Sequence, residues 1–381
     1  MVSAVSRGGR IRTADPRVPN AVRYQLRYTP NGASIMRNVA ASQAGVRYNF
    51  PIGETMNIFV TGGAGYIGSA TAEALFDAGH SVTVYDSLVT GYRSAVPESV
   101  RFIQADLGDS AALTAALASE KFDAVMHFAA FIEAGESMKN PGKFFKNNLA
   151  NSLQLIEAAA RAGVEQFVLS STAAVYASND VPLNEDSAID PANAYGFTKL
   201  AIEQALEWYR KIHGLHFAAL RYFNACGALP GRGEAHLPES HLIPLVLKVA
   251  LGLCEAASIY GTDYPTPDGT CIRDYIHIAD LVSAHLLALD ALAERDRLVY
   301  NLGNGSGYSV REVIEAARRV TGHKIPVLES PRRPGDAPRL VASSEKIRHD
   351  LGWTPRHPDL TDIVSSAWGW HRTHPQGYKS I

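Results

Sequence analysis

A glycine-rich stretch between an apolar run and an Ala-rich run constrains the fold of this chain more than any other feature. The run Met56–Val60 is short and apolar, as expected of a strand that is buried on both faces. Residues 69–78 are rich in Ala and Leu, and Gly79 follows them, which predicts a helix that stops there. The segment between them, 63–68, fits the pattern G-x-G-x-x-G. We therefore predict a strand, a tight turn and a helix.

This pattern is typical of a site that binds a dinucleotide. Glycines permit the turn and let the backbone approach a pyrophosphate, which the N-terminus of the helix then stabilises. A second apolar run, 80–85, predicts a strand that ends at Asp86, about twenty residues past the glycines as this kind of site requires. A carboxylate there accepts hydrogen bonds from ribose hydroxyls and repels a 2'-phosphate, which favours NAD over NADP. The alternative is a glycine turn in another α/β protein, with Asp86 solvated.

Composition excludes several classes of protein. The chain has 381 residues, which suggests about two domains, and its net charge of -2 gives no general attraction to nucleic acid or to an anionic membrane. No apolar stretch approaches the roughly 20 residues that span a bilayer. The three cysteines, Cys226, Cys254 and Cys271, lack metal-ligand spacing. We expect reduced thiols, no metal and a cytoplasmic location.

The first 55 residues differ from the rest of the chain. They contain eight arginines, few acidic residues and no sustained apolar period. We expect this segment to be disordered, because it cannot build a core. An Arg-rich, acid-poor start is also typical of an organellar transit peptide. The interpretation we prefer is that translation begins at Met56 and that 1–55 is a spurious extension.

From Met56 onward the pattern alternates between strand and helix. This alternation predicts an α/β fold with a doubly wound parallel sheet, whose ligands lie at the carboxyl ends of the strands. We place the NAD-binding domain at 56–230, with a return segment at about 273–306, and a smaller, discontinuous substrate-binding domain mainly at 231–378. The predicted strands are Ile58–Val60, Val82–Tyr85, Val100–Gln104, Ala124–Phe128, Phe167–Ser170, Phe217–Phe223 and Leu298–Leu302, and the predicted helices include Ala111–Ala118, Asn148–Ala162, Ala201–His213 and Val310–Val320.

Polar and small residues follow three of these strands. Asp106 comes after the third strand, where it can meet an adenine, although it can also simply cap the next helix. The small residues of Phe128–Ala130 follow the fourth strand and allow a cofactor to lie close. Ser170–Thr172 follows the fifth strand and places hydroxyl groups at the same edge. We expect all three groups to face the ligand.

Tyr195 and Lys199 are the candidate catalytic pair. The i,i+4 spacing puts the phenol and the ammonium on one face of a helix. A free tyrosine has a pKa of about 10. A nearby Lys and the positive nicotinamide ring both favour the phenolate, so we expect the pKa of Tyr195 to fall toward neutrality. Thr172 would share the substrate proton with Tyr195. Taken alone, such a pair is usually a solvated helix face, but here it follows a dinucleotide site.

Together these motifs resemble a known family. The glycine stretch, Asp86, Ser170–Thr172 and the Tyr195/Lys199 pair are similar to those of the extended short-chain dehydrogenase/reductases. Within that group the chain resembles the UDP-glucose 4-epimerase family from Met56 to about Tyr378. The segments that carry this closer resemblance are His127–Ala130, Gly135–Ser137, Tyr260–Thr270 and Arg273–His277, whereas Arg221–Asn224 belongs to the resemblance to the wider group.

The resemblance implies a bound NAD that is not consumed and an inversion at C4 that interconverts UDP-glucose and UDP-galactose, in galactose metabolism. It also implies a homodimer. The catalytic residues would be Tyr195, Lys199 and Thr172. The cofactor-binding residues would be Gly62, Gly65, Tyr66, Ile67, Gly68, Asp86, Ser87, Asp106, Leu107, Phe128, Ala129, Ala130, Asn148, Tyr195, Lys199 and Phe223. The UDP-sugar would contact Thr172, Tyr195, Asn224, His241, Leu242, Tyr260, Arg273, Arg333, Asp336 and Leu340.

Four positions depart from the family pattern. Thr172 stands where Ser is common, which keeps the hydroxyl. Ile132 stands near a position where some relatives have a Lys at the cofactor pyrophosphate, and His241 replaces a common Asn. Leu340 stands where some members have a Tyr beside the sugar, so the pocket has room for N-acetylated sugars. UDP-N-acetylglucosamine or UDP-pentose 4-epimerase activity thus remains open, as does a non-catalytic NAD-sensing protein, and Arg332 with Arg333 can also be a solvated pair.

Overall fold

The computed structural model describes residues 54–177, 179, 181–333 and 336–378. The prediction for 1–55 therefore falls outside the described residues, apart from the last two positions of that segment. Within the described ranges, none of the helices combines the length and the apolar character needed to cross a membrane. The three cysteines are free thiols, as predicted.

A seven-stranded parallel sheet forms the centre of the protein. Its strand order is β11-β6-β5-β4-β1-β2-β3, and each neighbouring pair is parallel. This order is that of a doubly wound dinucleotide-binding sheet, extended by one strand at the β6 edge. The strands of the described chain are β1 (Asn57–Thr61), β2 (Ser81–Asp86), β3 (Arg101–Gln104), β4 (Ala124–His127), β5 (Gln166–Thr172), β6 (His216–Tyr222), β7 (Asn224–Cys226), β8 (Ala257–Tyr260), β9 (Ile272–Arg273), β10 (Tyr275–His277), β11 (Arg297–Leu302), β12 (Tyr308–Ser309), β13 (Val327–Ser330) and β14 (Arg339–Leu340).

Helices cover both faces of the sheet. Ile58 and Val60 of β1 pack in one apolar cluster with the helices α1 and α8, whereas Phe59 packs in a second cluster with α2, α5 and α6. Successive side chains of a strand point to opposite faces, so β1 is apolar throughout. The helices are α1 (Tyr66–Asp77), α2 (Ser110–Ala118), α3 (Ala134–Ser137), α4 (Pro141–Phe144), α5 (Asn151–Arg161), α6 (Ala194–His213), α7 (Leu242–Ala250), α8 (Ile278–Ala291), α9 (Val310–Thr321), α10 (Glu345–Leu351) and α11 (Leu360–Thr373).

A smaller α/β region follows in the C-terminal part of the chain. Helices α7, α9 and α11 share a third apolar cluster, to which Ile243, Val313 and Ile363 contribute. Beside them lie three small sheets, with the strand orders β10-β7, β12-β9-β14 and β13-β8. The structure thus has the predicted fold class, a Rossmann-like parallel sheet with an additional C-terminal α/β region.

The structure corrects two details of the prediction and excludes one alternative. Helix α1 begins at Tyr66, three residues before the predicted start, so Gly68 lies inside its first turn. The predicted helix 148–162 begins with a wide helical turn at Phe145–Ala150 and continues as α5. Asp106 does not cap α2, because the carboxylate that accepts hydrogen bonds from the first amides of that helix belongs to Asp109.

Candidate active site

One cavity lies at the carboxyl ends of the central strands, where ligands bind in doubly wound sheets. It collects almost all of the predicted cofactor residues. Its lining includes Gly62, Gly65, Tyr66, Ile67, Gly68, Asp86, Ser87, Asp106, Leu107, Phe128, Ala129, Ala130, Tyr195, Lys199 and Phe223. Thr172, Asn224 and His241, which we predicted on the substrate side, line the same cavity.

Gly62, Gly65 and Gly68 form what we call the glycine cradle, and close contacts leave no room for a side chain at Gly62 and Gly68. Gly62 has a positive φ of 72°, and a Cβ there would lie 2.4 Å from the backbone nitrogen of Ala129. A Cβ on Gly68 would lie 2.2 Å from the carbonyl oxygen of Gly62. Gly65 is the N-cap residue of α1, so the amides of the first helical turn open into the cavity. These features fit a bound pyrophosphate.

Asp86 ends β2 with its carboxylate at the cavity. Its Oδ2 accepts a hydrogen bond from the amide of Ala64 at 2.9 Å, and its Oδ1 accepts one from the amide of Leu88 at 2.8 Å. Burial raises the pKa of this carboxyl, and the two amides oppose that effect. Each oxygen keeps acceptor capacity for a ribose hydroxyl. The carboxylate therefore fits the ribose of NAD.

Tyr195 reaches the cavity from the first turn of α6. A Cβ on Gly196 would lie 2.3 Å from the carbonyl oxygen of Ala174, so the glycine lets the helix approach the turn that follows β5. Asn193 caps the helix by accepting from the amide of Gly196 at 2.8 Å. The amide of Tyr195 donates to Ser137 Oγ at 3.1 Å. The helix cap and these backbone contacts thus fix where the phenol lies.

Thr172 is the hydrogen-bond partner of the Tyr195 phenol. Thr172 Oγ1 also accepts from the amide of Ala174 at 3.1 Å. Burial raises the pKa of Tyr195 to about 12, the Thr172 hydroxyl opposes this, and Glu133 reinforces it. In the protein alone, desolvation outweighs the local hydrogen bond, and the lowered pKa that we expect beside Lys199 and a positive nicotinamide ring stays a prediction.

Lys199 is buried, and its Nζ donates to the carbonyl oxygen of Ser170 at 2.7 Å. Burial lowers its pKa to about 8, and Glu203 opposes that effect. The ammonium therefore remains the main form at neutral pH and contributes a fixed positive charge at the end of β5. Tyr195 and Lys199 do line one cavity. The side chain of Lys199 is buried against β5, so the pair is not a solvated helix face.

Asn148 is the one predicted cofactor residue that stands outside the described lining of the cavity. Its side chain is fully buried and bonds twice to the backbone of Phe131, with Oδ1 accepting at 2.9 Å and Nδ2 donating at 2.8 Å. Phe131 itself lines the cavity. Asn148 is therefore a positioning residue for the segment that follows β4.

A second group of predicted residues lies apart from this lining, in the C-terminal region. Arg273 Nη2 lies 3.5 Å from Asp336 Oδ1, and Arg333 Nε donates to Asp336 Oδ2 at 2.9 Å. The guanidinium of Arg333 lies 4.8 Å from the centre of the Tyr260 ring. Leu340 pairs with Arg273 in the small β-sheet. We call Tyr260, Arg273, Arg333 and Asp336 the arginine cluster.

Two further predicted positions have clear surroundings. Leu242 is the first residue of α7 and packs against the C-terminal apolar cluster. Arg332 forms an ion pair with Asp263 at 2.7 Å and lies over the ring of Tyr264. Arg332 and Arg333 thus have different partners, and both side chains are exposed, so the alternative of a solvated pair stays open.

Sequence reasoning missed several supports of the site. Arg221 forms a buried ion pair with Glu203 at 2.6 Å and donates to the hydroxyl of Tyr176 at 2.9 Å. Glu203 also accepts from Ser171, next to Thr172. The only available signal was that Glu203 stands four residues after Lys199 on the same helix face.

Glu234 and His236 also line the cavity without having been predicted. Nδ1 of His241 lies 2.7 Å from Glu234 Oε1 and 2.8 Å from Glu239 Oε1. A doubled Glu-x-His spacing, at 234/236 and 239/241, was the signal that could have found them.

Comparisons with known proteins agree with this geometry. The model of the NAD dependent epimerase/dehydratase family matches residues 58–303. UDP-glucose 4-epimerase of Lacticaseibacillus casei is 47% identical over 327 residues, which cover 85% of this chain and 99% of that protein.

Two solved structures have the same fold. UDP-glucose 4-epimerase from Brucella ovis in complex with NAD is 41% identical, with a TM-score of 0.80 over 83% of this chain and 98% of that one. The enzyme from Bifidobacterium longum in complex with NAD+ and UDP is 34% identical, with a TM-score of 0.81 over 84% and 100%. The glycine cradle, the Tyr195 site and these similarities lead to one conclusion: the chain belongs to the NAD-dependent epimerase/dehydratase family.

Proposed function

We propose that this chain is a UDP-glucose 4-epimerase, which interconverts UDP-glucose and UDP-galactose by transient oxidation at sugar C4. The observation that carries the proposal is that Tyr195, Thr172 and Lys199 share one cavity with the glycine cradle and Asp86. A dinucleotide and a reacting sugar can therefore meet beside the phenol. The curated relative of 47% identity carries the same activity in its name.

NAD would be held by the glycine cradle at its pyrophosphate and by Asp86 at its ribose. When bound, it supplies a nicotinamide ring that accepts a hydride from sugar C4 and returns it to the other face. The positive charge of that ring and the ammonium of Lys199 both favour the phenolate of Tyr195. We expect them to offset the desolvation that raises the pKa of Tyr195 in the protein alone.

Tyr195 would then take the proton from the sugar 4-hydroxyl and give it back after the sugar has turned over. Thr172 is placed to assist, because its side chain hydrogen-bonds the phenol that would carry the charge. A hydrogen bond donated to a phenolate stabilises it and keeps it aligned. The proton and the hydride both return to the sugar, so the reaction needs no external reductant.

The arginine cluster suits the nucleotide end of the substrate. Arg binds phosphate oxygens better than Lys because its fork of donors can form two parallel hydrogen bonds. We assign Arg273 and Arg333 to the diphosphate, Asp336 to the uridine ribose and the ring of Tyr260 to the uracil. Asn224 lines the cavity and donates to the carbonyl oxygen of Asp274 at 2.7 Å, so its own side-chain oxygen can face the sugar phosphate.

The rest of the proposal concerns organisation. We infer a substrate-binding domain mainly at 231–378, an NAD-binding domain at 56–230 with a return segment at 273–306, a homodimer and a cytoplasmic location. Leu340 leaves the sugar pocket without the large ring of a Tyr, so N-acetylated UDP-sugars belong among the substrates to be tested.

The test is the conversion of UDP-galactose by purified protein without added reductant, with UDP-N-acetylgalactosamine assayed in parallel. We expect UDP-glucose as the product from the first substrate. Conversion of both substrates would assign the wider specificity. If the protein holds NAD but converts neither of these substrates nor a UDP-pentose, the epimerase proposal is wrong and a non-catalytic NAD-sensing role replaces it.

A further inference from the structure

Four side chains of the segment that joins β7 to α7 converge at one wall of the cavity. We call Glu234, His236, Glu239 and His241 the Glu/His cluster. One ligand atom from each of the four lies within 4.8 Å of the others, and it is the one group of this kind among the described residues. Nδ1 of His236 lies 3.1 Å from Glu234 Oε1, the same oxygen that contacts His241.

The charges of this cluster suit a divalent cation. The side chains of Glu234 and Glu239 are only 5% and 2% exposed. In the described part of the chain, neither carboxylate has a Lys or Arg ion-pair partner, and the ion-pair contacts given for them are to the two histidines. In the form that ligates a metal, with both imidazoles deprotonated, the cluster carries a charge of -2. One divalent cation neutralises this charge. Without a metal, Glu234 and Glu239 favour a proton on His241, so a metal ion has to displace that proton.

We propose that the Glu/His cluster binds a divalent transition-metal ion of the zinc type. Two imidazole nitrogens and two carboxylate oxygens form a ligand set that suits tetrahedral zinc, whereas magnesium and calcium prefer oxygen ligands in larger number. With metal–ligand bonds of 2.0–2.1 Å, neighbouring ligands in a tetrahedron lie about 3.3 Å apart. Three of the six distances between the ligand atoms are 2.7 to 3.1 Å and need to open by a few tenths of an ångström, and the others lie within 4.8 Å.

The backbone around the cluster holds the ligands in place. Glu239 Oε1 accepts from the amides of Ser240 and His241, both at 2.8 Å. The indole nitrogen of Trp370 in α11 donates to the carbonyl oxygen of Glu234 at 3.3 Å. Ligands that are oriented by surrounding hydrogen bonds bind metals more tightly. The two halves of the cluster are therefore positioned by separate parts of the structure.

The ion would have a structural role at the cavity. Four protein ligands leave no open coordination position for catalysis. The His236 ring lies 6.4 Å from the ring of Tyr66, edge to face, and Tyr66 begins α1 directly after Gly65. Tyr66 also donates to the carbonyl oxygen of Gly227 at 2.6 Å. A metal here would hold this wall of the cavity against the first turn of α1.

The test uses the holoenzyme without a histidine tag. After dialysis against a chelator, the wild-type protein is titrated with Zn²⁺ in competition with a chromogenic chelator, and separately with Co²⁺ while visible absorption is recorded. We expect one equivalent to bind, with the intense bands of tetrahedral cobalt and a higher melting temperature with Zn²⁺. Failure of the wild-type protein to bind a stoichiometric ion would overturn the proposal without any variant.

Variants then assign the site. His236→Gln and Glu239→Gln are expected to weaken Zn²⁺ binding more than about 100-fold, since loss of a ligand exceeds the 10- to 100-fold effect of losing its support. His349→Gln is the matched control, because His349 lies on α10 with a side chain that is 90% exposed. If a folded His236→Gln protein binds Zn²⁺ as tightly as the control does, the ion sits elsewhere and the proposal is wrong.

Discussion

The two sides of the proposed site are built by different means. On the cofactor side, backbone contacts define the wall, as at Gly62 and Gly68, where a Cβ would collide with main-chain atoms. On the substrate side, the arginine cluster and the Glu/His cluster are defined by charged side chains from separate segments. A wall made of backbone depends on a few neighbouring residues, whereas one made of side chains depends on the fold that assembles it.

This difference predicts how each side responds to change. Substitutions in the cofactor wall should affect cofactor retention and folding together, because the backbone itself has to move. Substitutions in the substrate wall should mostly change binding constants. The reacting groups, Tyr195 and Thr172, should affect the rate with little effect on either binding event.

The largest effect is expected for Tyr195→Phe. Removing the phenolic oxygen deletes the proposed base, and general-base catalysis is worth about 10²- to 10⁴-fold in rate. We expect kcat to fall by about 10³-fold, while the melting temperature and the bound NAD stay near wild-type values. Initial rates with UDP-galactose, together with thermal unfolding, measure both. Near-native turnover would remove Tyr195 from its assigned role.

Gly68→Ala should test the cofactor side of the site separately from the substrate side. The new Cβ would lie 2.2 Å from the carbonyl oxygen of Gly62, so the cradle must shift. We expect a loss of about 1–3 kcal/mol in the free energy of unfolding and a lower NAD content after purification. Gly142→Ala is the control, since its Cβ would meet no atom of the described chain within 4 Å. Equal NAD contents in the two variants would contradict this account of the cradle.

The predicted cofactor residues lie together because the signals that identify them are close to one another in the sequence. Strand, glycine turn, helix and Asp86 are local signals, and fifteen of the predicted cofactor positions line one cavity. Asp106 and Asp109 are a case that local sequence signals do not decide. Both precede α2 within a few residues, and only the fold decides that Asp109 caps the helix while Asp106 lines the cavity.

The raised pKa of Tyr195 in the protein alone could not be predicted from the sequence, because it depends on burial. Sequence spacing revealed that Lys199 shares a helix face with the phenol, but not that desolvation dominates the phenol. The Glu/His cluster was missed in a similar way, because its four ligands converge only once the segment between β7 and α7 has folded back on itself.

Arg273→Ala should change the substrate side alone. A hydrogen bond between charged groups contributes about 1.5–3 kcal/mol, which corresponds to about a 10- to 100-fold increase in KM for UDP-galactose. We expect kcat to fall less than KM rises and the NAD content to be unchanged. Arg161→Ala is the control, because Arg161 is 79% exposed at the end of α5. An unchanged KM in Arg273→Ala would exclude Arg273 from the diphosphate site.

The smallest effect is expected for Thr172→Val, and it concerns pH. The Thr172 hydroxyl lowers the pKa of Tyr195, so its removal should raise that pKa further. Below the pKa less phenolate is then present, and the rise of kcat with pH should move to higher pH, with about a tenfold loss of rate near neutrality. Thr172→Ser keeps the hydroxyl and should keep the profile. Identical pH profiles of kcat for Thr172→Val and Thr172→Ser would show that Thr172 does not act on the phenol.

The most direct test of the central claim follows the hydrogen at sugar C4. UDP-glucose that carries deuterium at C4 is incubated with the wild-type protein in ordinary water, and the UDP-galactose formed is analysed by mass spectrometry and NMR. If the hydride leaves C4 and returns within one closed site, the product keeps its deuterium at C4. Loss of the label to solvent would mean that C4 is inverted by exchange of a proton, and the proposed mechanism would be wrong.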